Sequence, residues 1–134
     1  MQQLQRRSRR DRGSVSVELA ILAPVTMLVL MLIVQVVLWA NATHTAQAAA
    51  GVALDAARAE TGSAAAGQGA AEDALAHYAD GPLTESAVNV NRDNETVTVT
   101  VTGSAQSVLP FLDFPVSSSV TGPVEAFRPD TGAP

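Results

Sequence analysis

Residues 19–40 read LAILAPVTMLVLMLIVQVVLWA, an uninterrupted apolar run whose only polar members are Thr26 and Gln35. As a helix, 22 residues at 1.5 Å each reach roughly 33 Å, against about 30 Å of bilayer hydrocarbon. Buried in a soluble protein, a helix apolar on every side needs a large domain around it. This chain has only 134 residues and nothing from which to build one. The run is therefore read as a single membrane-spanning helix.

Charge on either side supports that reading. Residues 1–13 carry Arg6, Arg7, Arg9, Arg10 and Arg12 against Asp11, a net +4, while the rest of the chain carries three arginines against twelve acids. Arginines beside the apolar run place the N-terminus in the cytoplasm by the positive-inside rule, and the C-terminal bulk outside. Trp39, at the far end, suits the interface between hydrocarbon and water. A cleaved secretory signal is the nearest rival, with small-residue sites such as Ala40-Asn41-Ala42. Its apolar region is ordinarily about 7–15 residues, however, and here the helical pattern runs on into NATHTAQAAAGVALDAARAE.

Beyond the membrane the Ala-rich helix is expected to extend to about Glu60, where Thr61-Gly62-Ser63 ends it. A second short helix is expected over residues 70–79, preceded by Gly67-Gln68-Gly69 and stopped by Asp80-Gly81-Pro82. Residues 87–91 (AVNVN) and 96–102 (TVTVTVT) alternate with period two, and Arg92-Asp93-Asn94-Glu95 joins them as a hairpin. Val97, Val99 and Val101 then share one face, with Thr98, Thr100 and Thr102 on the other. A third strand near residues 116–121 completes a small sheet for the helix to rest on. Pro110 and Pro115 bracket an apolar loop, residues 109–114, suited to cover the sheet or meet a partner. The fold class is thus α+β: a long N-terminal transmembrane helix that extends outside, followed by a small antiparallel sheet. The expected divisions are a basic cytoplasmic leader (1–13), a transmembrane and extended helix (14–60), an extracytoplasmic α+β region (61–128) and a disordered tail (129–134).

Little points to catalysis. The chain has no cysteine, so disulfides, thiolate metal sites and thiol nucleophiles are excluded. His44 and His77 lie far apart beside Ala-rich helix and read as surface residues. Glu72 and Asp73 are adjacent, so on a helix they point in different directions. No phosphate-binding glycine loop or nucleophile motif is present, and neither an enzymatic role nor a cofactor is expected. The leader arginines are explained by membrane topology without nucleic acid. Asn41-Ala42-Thr43 and Asn94-Glu95-Thr96 match a glycosylation sequon, a pattern common by chance.

Glu18 is the most informative residue, a carboxylate at the edge of the apolar run, where insertion is unfavourable. It could sit among headgroups, favoured by the dipole at a helix N-terminus. Its neighbours say more. A basic leader, Gly13, the small Ser14, a glutamate at the fifth position after the glycine and a long apolar helix together resemble a type IV prepilin. The wider stretch, Arg12-Gly13-Ser14-Val15-Ser16-Val17-Glu18-Leu19-Ala20-Ile21-Leu22-Ala23-Pro24, is similar to TadE-like proteins, pseudopilins of bacterial tight-adherence (Flp-type) pilus systems. The resemblance covers roughly residues 10–60. Two departures are Ser14, where many type IV pilins have Phe, and Leu19, where related Tad proteins often have an aromatic.

The resemblance implies cleavage after Gly13 by a prepilin peptidase, leaving Ser14 as the new N-terminus and removing all five leader arginines. It also implies that Glu18 pairs with the N-terminal amine of a neighbouring subunit during assembly, which would offset the cost of both charges in lipid. Pro24 lacks an N–H and frees the carbonyl of Ala20, predicting a helix kink. The implied partners are the lipid bilayer, the prepilin peptidase, other pilin or pseudopilin subunits and the Tad platform proteins. The function expected is a minor pseudopilin or assembly component of a Tad-type pilus or secretion system. The alternative is an uncleaved single-pass envelope protein whose external domain binds a partner.

Overall fold

The computed structural model describes residues 2–78 and 81–126, with side chains from Val15 onward. The tail 129–134 lies outside the described residues, as do the side chains of the leader arginines, Gly13 and Ser14. Five elements follow in order: α1 (Gln2–Arg58), α2 (Ala64–Ala76), β1 (Leu83–Arg92), β2 (Thr96–Ala105) and β3 (Phe114–Pro123). The strands form one antiparallel sheet in the order β1-β2-β3. A long apolar helix followed by a small antiparallel sheet is the α+β arrangement expected.

The helix α1 is 57 residues long, and the basic leader is its first turns. It ends at Arg58, two residues before the expected Glu60, and the end is tied down from both directions. The N–H of Glu125 donates to the Arg58 carbonyl at 2.8 Å, satisfying one of the orphan acceptors of the last turn. The Arg58 guanidinium in turn lies 3.1 Å from Asp55 and 3.6 Å from Glu125. Both carboxylates are exposed, so these pairs add modestly to the hold.

The second helix begins six residues earlier than expected, with Gly67-Gln68-Gly69 inside it. Ser63 decides the start: in extended conformation, it accepts the Ala66 N–H on its side-chain oxygen at 3.0 Å and caps the helix. Close packing explains one glycine. A Cβ on Gly67 would come 2.7 Å from the Ala57 Cβ and 2.8 Å from the Ala53 carbonyl, so α2 can lie against α1 only with glycine there. Gly69 meets nothing within 4 Å.

The hairpin turn lies where the sequence put it, with Asp93 N–H donating to the Thr96 carbonyl at 2.8 Å. All three strands are longer than the alternating cores: residues 83–86 and Arg92 extend β1, residues 103–105 extend β2, and Phe114, Pro115, Gly122 and Pro123 extend β3. In β1 the register slips between Thr84 and Ala87, beside Glu85 at φ 50. Val97, Val99 and Val101 of the central strand are fully buried against α1. Thr98 and Thr100 face away, 3.1 Å from the Thr121 hydroxyl and 3.2 Å from the Ser119 hydroxyl in cross-strand rungs. On α1 the matching stripe is Ala42, Ala46, Ala49, Ala50, Ala53 and Ala57, all buried. Alanines let the sheet approach the helix backbone closely, so valines on one side suffice to fill the space between.

Candidate membrane and assembly site

From Val15 to Leu30 the helix surface is bare. Val15, Leu19, Ile21, Leu22, Leu28 and Ile33 are all exposed, and only 6% of the most apolar 18-residue window is buried. A helix of this length and composition is suited to crossing a membrane, and its exposure separates it from the core helix of a soluble protein. Its hydroxyl is satisfied internally: Thr26 donates to the Leu22 carbonyl at 2.8 Å, the bond such a side chain needs in lipid. Glu18 is exposed at the start of this segment. Pro24 lies within continuous helix.

The far end of the apolar run is where the domain takes hold. Gln35 is 2% exposed and is, among the described residues, the largest fully buried side chain, ahead of the sheet valines. Its Oε1 accepts the Val108 N–H at 2.9 Å and the Ser107 hydroxyl at 3.3 Å, while its Nε2 donates to the Gln106 carbonyl at 3.2 Å. One helical turn on, the Trp39 indole N–H donates to the Pro115 carbonyl at 3.3 Å. The loop between β2 and β3 is thus held to α1 at both of its ends. Within it Leu109 is buried while Phe111 and Leu112 are exposed, and Phe114, the first residue of β3, is half-buried. The loop therefore covers part of the helix, and its tip remains open.

The residues weighed for chemistry are scattered. His44 and His77 are both exposed, as are Glu72 and Asp73. Gln68 donates to Glu72 at 2.9 Å, and the His77 ring lies 3.0 Å from the Asp73 carbonyl. Among the described residues no group of three or more His, Asp or Glu is placed to hold a metal ion.

The family model described as TadE-like protein matches residues 13–58. Over this stretch the helix is similar to TadE-like proteins. The match begins at Gly13 and ends on Arg58, the last residue of α1. It takes in Glu18, the exposed span, Gln35 and the whole buried alanine stripe. No curated protein and no solved structure matches the chain. The TadE-like helix fits a single-pass membrane protein associated with a Tad pilus, and the sheet that follows it lies outside the matched segment.

In the sequence, Gln35 reads only as one of two polar members of the run and Trp39 as an interfacial anchor. A signal for their larger role was present. Residues 35, 39, 42, 46, 49 and 53 recur at alternating spacings of four and three, so one helix face runs unbroken from Gln35 into the buried alanines.

Proposed function

We propose that this chain is a minor pseudopilin or assembly component of a Tad-type pilus, held in the membrane by α1. Its N-terminus lies in the cytoplasm and the sheet outside. The TadE-like match over residues 13–58, coinciding with an exposed apolar helix, carries this reading. The five leader arginines favour the orientation. On this reading a prepilin peptidase cleaves after Gly13, and the amine of Ser14 becomes available to the Glu18 of a neighbour. The exposed surface from Val15 to Leu30 would then pack against other subunits in place of lipid. The chain acts by packing and positioning, and the reading assigns it no reaction.

The test is the N-terminal sequence of the protein isolated from native membranes, by mass spectrometry. A mature chain beginning at Ser14, with Met1 retained when the peptidase is absent, is the expected result. A chain beginning at Met1 in the presence of active peptidase would instead indicate an uncleaved envelope protein. A start near Thr43 would overturn the membrane reading itself.

A further inference from the structure

The loop joining β2 to β3 sits at an unusual height. If hydrocarbon begins at Leu19, just past Glu18, about 30 Å of it is crossed in about 20 residues, near Leu38 and Trp39. Gln35 is one helical turn short of that level, about 5 Å inside it, and Gln35 is where the loop is fastened. Phe114 sits at the same level, sharing a small apolar cleft with Leu32, Gln35, Val36 and Trp39. The domain therefore does not stand clear of the bilayer. Its loop descends along the side of the span.

The composition of the loop matches that depth. Residues 106–112 (QSVLPFL) carry no charge. Phe111 is fully exposed, Leu112 is more than half exposed and Val108 is also exposed. Phe111 is moreover held at φ 67, a left-handed conformation that glycine adopts easily and a bulky residue does not. A fully exposed aromatic in strained backbone gains nothing from folding in water. It gains if hydrocarbon receives the ring.

We propose that the loop inserts Phe111 and Leu112 into the leaflet on the domain's side of the bilayer, at the boundary between headgroups and acyl chains. This rests on α1 being a membrane span. Asp113, exposed next to these residues, limits the depth, because its carboxylate must stay among headgroups and water. The Gln35 side chain, spanning the loop's first turn, supplies the hydrogen bonds that water would otherwise give the backbone there. The loop and Trp39 together make a second point of attachment to the membrane surface, beside the helix.

The chain's lack of cysteine permits a direct test. Full-length Phe111→Cys, Leu28→Cys and Thr98→Cys variants are labelled with an environment-sensitive fluorophore and reconstituted in phosphatidylcholine vesicles carrying nitroxides at shallow or deep acyl positions. The Phe111→Cys label is expected to lose emission about twofold or more to the shallow nitroxide, as insertion of about 5–10 Å requires. The Leu28→Cys label should be quenched most by the deep one, and the Thr98→Cys label by neither. Quenching at Leu28→Cys with none at Phe111→Cys would overturn the proposal and leave the span intact. No quenching at Leu28→Cys would remove the span and the proposal with it. A blue-shifted but unquenched Phe111→Cys label, sensitive to protein density, would mean that a second copy covers the loop, and would equally overturn insertion. A Leu112→Cys variant, its fold checked by Trp39 emission, guards against disturbance of the Phe111 turn.

Discussion

The Gln35 side chain accepts the backbone N–H of Val108 at 2.9 Å, across 73 residues of chain and from within the apolar run of α1. Replacing Gln35 with Leu keeps the volume but strands the Val108 N–H and the Gln106 carbonyl. Each buried orphan costs about 1–3 kcal/mol. The Gln35→Leu variant should therefore melt well below the parent in detergent, read by the emission of Trp39, the chain's single tryptophan.

The two glycines of α2 should respond to alanine with opposite signs. At Gly69 the added methyl meets open space, and the better helix former should stabilise by about 0.5–1 kcal/mol. At Gly67 the same methyl would collide with the Ala57 Cβ and the Ala53 carbonyl. There the cost of separating two helices, typically about 1–3 kcal/mol for overpacking, should exceed the propensity gain. Thermal melts of the two variants in parallel give both signs.

The two faces of β2 differ in the same way. Val99 is fully buried, so Val99→Ala should cost about 2 kcal/mol once the cavity is included. Thr100→Ala removes one hydroxyl rung with Ser119 on the outward face and should stay within about 1 kcal/mol. The reverse order, with Thr100→Ala costing more, would mean that the sheet rests on α1 by its other face.

The cap of α2 is a single side-chain contact. Ser63→Ala removes the acceptor for the Ala66 N–H and should cost about 1 kcal/mol, with Ser63→Gly milder by half or more. Amide hydrogen exchange at Ala66 should rise in the alanine variant before exchange in the sheet changes.

Much of this architecture was legible in the residues, for identifiable reasons. The span declares itself by length and the absence of charge, and β2 by strict alternation, because both signals are local. The start of α2 was placed too late because glycine is read locally as a breaker. In the fold Gly67 is required by Ala53 and Ala57, residues that no local window joins to it. The grip of Gln35 on the loop also needed the tertiary structure, since 73 residues separate the partners. Gly13, Ser14 and Glu18 are singled out by the basic leader, their spacing and the apolar run taken together, and their roles rest on that resemblance.

Hydrogen bonds fasten the domain to α1 at both ends of their contact, at Gln35 and at Arg58 by the Glu125 backbone. These are 23 residues, about 34 Å, apart on one helix. A sheet clamped at both ends of such a rod has no swivel of its own. Whatever turns the helix about its axis within the bilayer, including the neighbour it packs against, turns the sheet through the same angle. The choice of partner in the membrane would thus set the compass bearing of the surface displayed outside.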